Sequence, residues 1–304
     1  MKPQLSIVIA NYNYGRFLEE AIQSVINQEM GDKVELIICD GGSTDNSVDI
    51  IKKYANGLPP NTTLSDEYPS SLITWWCSEE DGGQSAAFNK GFSYARGKFL
   101  TWLNADDVIL PGTLGKLFIA IDAYPDCEWF VGGCFWLDPQ MRILNCGRGR
   151  PFSEIRFREG NVSVWGPSSF FTKRLLVSVG GVDERFHFSM DTDLWLRFAA
   201  KANARYRPFC KYAWGLRMHP DAKMSGHNFT ATGEFDTEHT EAEKKAASKY
   251  RLQREKETNL RLEYFTPCRA NVLSRVLSAR WFDVLLAKYD LLRFRQKHYM
   301  EYFK

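Results

Sequence analysis

Near-continuous apolar runs too short to be helices alternate with stretches of helical spacing from the start of the chain to about residue 123. Leu5–Ala10 is such a run, and Phe17–Gln28 follows with Leu18, Ala21, Ile22, Val25 and Ile26 on one face. Val34–Cys39 is a second run ending in Asp40. Val48, Ile50, Ile51 and Tyr54 then form the inner face of a helix that Ser43 or Thr44 would cap. Ile73–Cys77, a helix over Gln84–Ala95, and Phe99–Leu103 complete the series. Runs that are apolar at nearly every position are strands covered on both faces, which occur in parallel sheets flanked by helices. Their alternation predicts a doubly wound α/β unit.

Beyond that point the pattern changes. Trp129–Leu137 and Arg142–Cys146 read as a hairpin joined at Asp138-Pro139, and Ser169–Thr172 as a short strand before a helix. Asp193–Ala202 reads as a helix with Asp193 as its N-cap, and Phe209–Leu216 as a last strand. A parallel half followed by a mixed half fits one domain over residues 1–225 better than two. Residues 226–240, within a stretch rich in Gly, His, Asn and Thr, read as a mobile loop, and 241–304 as a basic helical extension. In that extension Val272, Leu273, Val276, Leu277, Trp281, Leu285, Tyr289 and Leu292 form an apolar stripe. Arg269, Arg275, Arg280, Lys288, Arg293, Arg295 and Lys297 supply cations. Two readings stand side by side: a helix packed on the domain with a solvated basic face, or a peripheral contact with a membrane.

A net charge of +2 over 304 residues argues against wholesale nucleic-acid binding. The charge is uneven, since 15 Lys and Arg stand against 8 Asp and Glu from Glu241 onward. The seven cysteines are odd in number and form no CxxC or Cys/His zinc spacing, so they read as free thiols in a reducing compartment. The apolar start gives way at once to Asn-Tyr-Asn-Tyr-Gly-Arg, without the length or cleavage site of a signal peptide. No window approaches the roughly twenty apolar residues of a membrane span. The expected location is the cytoplasm, in solution or at the inner face of the membrane.

Candidate chemistry sits at the strand ends. Asp106 and Asp107 directly follow Phe99–Leu103 and its Asn104-Ala105, and ligands in open α/β sheets bind at the carboxyl ends of strands. Two hard oxygen donors there suit a divalent cation that also grips a phosphate. A turn that caps the next helix explains the same residues equally well. Asp40 and Asp81 stand at two further strand ends, each with a turn as its plain alternative. The first strand is not followed by G-x-G-x-x-G, and no Walker lysine loop is present, which removes the main support for dinucleotide or P-loop chemistry.

Five blocks in order resemble the family 2 glycosyltransferases of the GT-A type. They are Ser6-Ile-Val-Ile-Ala-Asn-Tyr-Asn13, Asp40-Gly-Gly-Ser-Thr-Asp45, the stretch from Ser78 through Asn89-Lys90-Gly91, Leu103-Asn-Ala-Asp-Asp107, and Met190-Asp-Thr-Asp-Leu-Trp-Leu-Arg197. The resemblance implies a mixed, mostly parallel sheet flanked by helices. It also implies that Asn11, Tyr12, Asp40 and Asp81 hold the nucleoside, with Asp40 and Asp81 at base and ribose. Asn89 and Lys90 fall in the third block, and it implies donor binding for them. Asp106 and Asp107 stand at the family's DxD position, with Asp107 as the main metal ligand, and Asp191 is the implied catalytic base. Ala10 replaces the family's usual Pro, and Met190 a frequent Glu. His219 and Lys223, in an Arg-x-His…Lys-Ser element, are implied to contact diphosphate or metal. The loop Trp165-Gly-Pro-Ser168 is implied to face the acceptor.

The reaction so implied is inverting transfer from a nucleotide-diphosphate sugar, UDP-linked by preference, to a glycan or lipid-linked hydroxyl with Mg²⁺ or Mn²⁺, in surface polysaccharide synthesis. Its rivals are a sugar nucleotidyltransferase, which the absent basic Gly-rich loop disfavours, and a binding module without catalysis.

Overall fold

The computed structural model describes residues 2–57, 59–61, 72–153, 164–187, 190–201, 204–223 and 288–303. Four covered runs become the parallel strands β1 (Leu5–Asn11), β2 (Val34–Asp40), β3 (Ile73–Ser78) and β4 (Phe99–Asn104). With β6 (Trp129–Val131), β9 (Ser169–Thr172) and β10 (Arg207–Pro208) they form a seven-stranded sheet ordered β10-β6-β9-β4-β1-β2-β3, in which β9 alone runs antiparallel to its neighbours. The register sets Asn11 beside Asp40, Asp40 beside Ser78, and Ala10 beside Asn104. The polar residues that end four strands therefore share one edge.

Alternation along β1 divides the interior. Leu5, Ile7 and Ile9 face the helices α1 (Gly15–Ile26), α2 (Ser47–Tyr54) and α4 (Thr113–Ala123), while Val8 faces α3 (Gln84–Tyr94) and α6 (Met190–Ala200). On that second face the indoles of Trp102 and Trp195 stack at 5.3 Å and 3°. Trp129 adds a further stack on Trp195 at 5.6 Å. These large buried rings fix α6, and with it Asp191, against the sheet. Between β9 and α6 lies the short α5 (Lys173–Ser178), capped by Thr172. A smaller sheet runs β5 (Val108–Ile109), β11 (Trp214–Arg217), β7 (Cys134–Leu137), β8 (Ile143–Gly147).

Four expectations are corrected here. Trp129–Leu137 is not one strand: β6 belongs to the large sheet and β7 to the small one, and only β7 and β8 make the hairpin. The chain changes sheet at Gly132-Gly133, where a side chain on Gly133 would start 2.0 Å from the carbonyl oxygen of Lys211. Of the expected last strand, Phe209–Leu216, only Trp214–Leu216 is strand, in β11, and β10 precedes it in the large sheet. The second helix starts at Ser47 because Ser43 is spent on Asp40, Asn11 and Asn13. Helix α6 already includes Met190, so Asp193 is an ion-paired residue of its first turn rather than its N-cap.

Of the expected extension, only 288–303 falls among the described residues, and the expected mobile loop 226–240 lies outside them. Residues 288–294 are helical, and His298 bridges antiparallel to Arg142 at the edge of β8. Leu291, Phe294, Tyr299 and Phe303 pack on a core of Val108, Leu110, Phe135 and Ile143. The segment packs on the domain, but not through the expected stripe: of that stripe only Tyr289 and Leu292 are among the described residues, and both are exposed. No helix among the described residues is long and apolar enough to cross a membrane.

Candidate active site

Asn11, at the end of β1, donates to Asp40 Oδ1 at 2.6 Å. Asp40 also accepts from Ser43 N (3.0 Å), Ser43 Oγ (2.5 Å) and Ser78 Oγ (2.6 Å) and is 1% exposed. Four donors fill its carboxylate, so Asp40 organises the strand ends and is not open to a nucleobase. Asp81 is the open carboxylate. Its Oδ1 accepts from Gly83 N at 2.7 Å, and its Oδ2 lies 3.3 Å from where a side chain on Gly41 would begin. The ring of Tyr12, 61% exposed, lies 3.4 Å from the same point. Gly41 thus leaves a slot between an aromatic edge and a carboxylate. Burial pushes the Asp81 carboxyl above its usual range, with the charge of Asp40 adding to the shift. Next to the slot, a cleft of about 540 Å³ is lined by Tyr12, Asn13, Tyr14, Arg16, Asp45, Asn46 and Asp221.

The two adjacent aspartates after β4 have opposite environments. Asp107 is 1% exposed; its Oδ1 accepts from Arg217 N (2.9 Å) and its Oδ2 from Asn104 Nδ2 (2.7 Å). Burial drives its carboxyl well above the usual carboxylate range, and the charge of Asp106 drives it further. Asp107 ties β4 to β11, which leaves Asp106 the more open of the two carboxylates. Asp106 is less deeply buried, its side chain 14% exposed, with its Oδ2 3.1 Å from His219 Nε2. Two ligands at right angles on a cation with bonds of about 2.1 Å sit about 3 Å apart, so this pair fits Mg²⁺ or Mn²⁺. No group of three or more His, Cys, Asp and Glu gathers as a metal site among the described residues. A cation here would complete its shell with diphosphate and water, as Mg²⁺ commonly does.

Arg16 and Tyr14, unmarked in the sequence except by their place after β1, hold this site from the side. Arg16 Nη2 lies 3.3 Å from His219 Nδ1 and 2.5 Å from Asp221 Oδ2. A cation held by Asp106 and Nε2 requires the His219 proton on Nδ1, with Arg16 then turned to Asp221. The Tyr14 hydroxyl donates to Asp221 O at 2.8 Å, and burial, then the charges of Asp106 and Asp221, push its pKa up to about 12. Lys223 donates to Gln84 Oε1 (3.0 Å) and to His187 O, so it ties the segment after β11 to the start of α3. Gln84 passes the connection to Asn104 Oδ1 at 2.9 Å.

Three expected contacts are committed elsewhere. Asn89 donates to Val182 O and Glu184 Oε1 and accepts from Val182 N, clasping α3 to the loop after α5. Lys90 pairs with Glu79. Ser168 is fully buried, its hydroxyl 3.0 Å from Gly132 O and 2.9 Å from Trp165 O, which corrects its expected acceptor contact. Trp165 stands edge-on to Trp136 at 5.0 Å, half-buried. Asp191, in the first turn of α6, accepts from Thr192 N at 2.6 Å through Oδ1. Its Oδ2 lies 3.7 Å from where a side chain on Gly166 would begin, and the Trp102 indole lies 3.6 Å from the same point. Negative charge at a helix start interacts favourably with the macrodipole. This one borders a space that Gly166 leaves empty.

Residues 6–134 match the model of Glycosyl transferase family 2. An uncharacterized glycosyltransferase of Methanocaldococcus jannaschii is 29% identical over 204 residues, covering 66% of each chain. Minor teichoic acid biosynthesis protein GgaB of Bacillus subtilis is 32% identical over 120 residues, 39% of this chain and 12% of that one. This chain spans 31% and 66% of the length of two of the relatives most like it. Among solved structures, S. aureus TarS 1-349 in complex with UDP has a TM-score of 0.51 at 19% identity, covering 71% of this chain and 61% of that one. That likeness concerns the fold, and the family match covers the ends of β1–β4, while Asp191 and His219 lie beyond it. The chain therefore carries a domain of glycosyl transferase family 2, built on the GT-A fold.

Proposed function

We propose that the protein is an inverting glycosyltransferase that moves a sugar from a nucleotide-diphosphate sugar, UDP-linked by preference, to a glycan or lipid-linked hydroxyl in polysaccharide assembly. The observation that carries this reading is the Asp106–His219 pair, 3.1 Å apart at the strand ends. The base enters the slot between Tyr12 and Asp81, where the free Oδ2 of Asp81 accepts a ring N–H, and a pyrimidine suits so narrow a slot. Asp106 and His219 would hold Mg²⁺ or Mn²⁺, which supplies positive charge to offset the diphosphate. Asp191 takes the proton of the acceptor hydroxyl as it becomes acidic in the transition state. The freed oxygen attacks the anomeric carbon, the bond from that carbon to the diphosphate breaks, and the sugar is inverted. Trp165 offers a ring on which an acceptor sugar can stack.

The relation to a teichoic acid biosynthesis protein supports a polysaccharide acceptor. Incubation with UDP-sugars and oligosaccharide acceptors is expected to release UDP. Release of pyrophosphate instead would identify a nucleotidyltransferase, and release of neither a binding module. Isothermal titration with Mn²⁺ is expected to rank UDP above GDP, and the reverse order overturns the donor assignment.

A further inference from the structure

The C-terminal segment 288–303 shows its two faces to different surroundings. Inward, Asp290 is 6% exposed and accepts from Arg148 Nη2 at 2.6 Å and from the Tyr212 hydroxyl at 2.7 Å. Leu291 and Phe294 pack beside it on the small sheet. Gln296 N donates to Ile143 O and Ile143 N to Lys297 O, both at 2.8 Å, and Tyr299 N donates to Met141 O at 2.9 Å. The segment is thereby clamped along the edge of β8 and cannot turn its outer face inward. That outer face carries Leu292, 83% exposed, with Tyr289 three residues before it at 60%. Lys288, Arg293, Arg295 and Lys297 are exposed around them, and the nearest outward carboxylate in the segment is Glu301.

We infer that this outer face is a docking surface for an anionic lipid bilayer. The charge fits negative headgroups, with each cation near such a surface contributing to binding. An apolar pair at its centre fits acyl chains, into which a leucine and a tyrosine ring can enter at the headgroup boundary. A soluble acidic polymer would match the cations and leave Leu292 without a counterpart. Because the inner face is fixed to the sheet that carries Arg217 toward His219, docking would hold the catalytic domain in one orientation to the membrane. A membrane-borne acceptor would then be presented at a constant distance.

The test is co-sedimentation of the full chain with vesicles of phosphatidylcholine alone or of phosphatidylcholine mixed with phosphatidylglycerol, whose surface potential is negative. Binding is expected to the anionic vesicles and not to the neutral ones. Arg293→Ala with Arg295→Ala is expected to weaken partitioning about 30-fold, at about 1 kcal/mol per cation. Leu292→Ser is expected to remove the binding that survives in high salt, where the Coulombic share is screened. Both variants change exposed side chains, so unchanged thermal unfolding confirms that the fold is kept. Equal vesicle binding by wild type and both variants overturns the inference, as does absence of binding to anionic vesicles. If polyphosphate binds wild type and Leu292→Ser alike while vesicles bind neither, the surface is a polyanion site and the inference fails. Nucleotide binding plays no part in these readings, so they stand apart from the proposed reaction.

Discussion

Asp106 and Asp107 are neighbours in one turn, and nothing in their sequence separates a ligand from a tie. Burial does: Asp107 is enclosed with both oxygens committed, while Asp106 faces His219. Asp106→Ala is expected to abolish Mn²⁺-dependent UDP binding with little change in unfolding temperature. Asp107→Ala is expected to unfold at lower temperature, because Arg217 N and Asn104 lose a buried acceptor at a cost of about 1–3 kcal/mol each. Titration calorimetry beside a thermal melt separates the two, and the opposite pattern would make Asp107 the ligand. Asp191→Asn is expected to leave UDP affinity intact and reduce turnover at least about 100-fold, the scale of general-base catalysis. Gly166→Val would fill the space between Trp102 and Asp191. Steady-state kinetics are expected to show a raised acceptor KM and an unchanged donor KM, and a raised donor KM would place that space on the donor side.

Among the elements, the alternation of β1–β4 with α1–α3 was legible because covered strands and amphipathic helices have different periods. What was not legible depends on partners far away in sequence. Gly132-Gly133 reads as the middle of one strand until Lys211 and Ala213 are seen pressing on it. Asp45 was legible as the end of the block that starts at Asp40, but not as a link between two helices: its Oδ2 accepts from Gly15 N and its Oδ1 from Ser47 N, both at 2.9 Å. One carboxylate thus joins the starts of α1 and α2. Slight burial raises its pKa, but the hydrogen bonds from Ser47 and Gly15 outweigh this and the net shift is downward. A depressed folded pKa means that the stabilisation is present above the unfolded value, near 3.9, and is lost as pH falls through the folded one. Asp45→Ala is expected to cost about 1 kcal/mol at pH 7, the usual cost of losing a helix cap. Denaturant melts should show the gap from wild type closing below about pH 4. A gap that persists at pH 2–3, roughly below both pKa values, would show that packing rather than charge holds these loops.

At the scale of the whole molecule, the basic tail was legible as charge and stripe, but its clamp was not, because Arg148 and Tyr212 come from separate strand ends. The Arg148–Asp290 pair is 11% and 8% exposed in its side chains. Such a pair costs much to desolvate, so it adds little over an apolar replacement, but removing one partner strands the other. Asp290→Leu alone is expected to cost about 3–5 kcal/mol. Arg148→Met with Asp290→Leu is expected to recover most of that loss. The loss also bears on the site, since the segment lies over the small sheet and Tyr299 feels the charges of Glu20 and Arg217. Arg217 is ion-paired to Glu20 and tied to Asp107 through its backbone N–H, two residues before His219. Loosening the clamp is therefore expected to weaken Mn²⁺-dependent UDP binding in the single variant and to restore it in the double. Melts and titrations of the four proteins in this cycle decide the matter. Equal losses in the single and double variants would show that Tyr212, not the ion pair, is what fastens the tail.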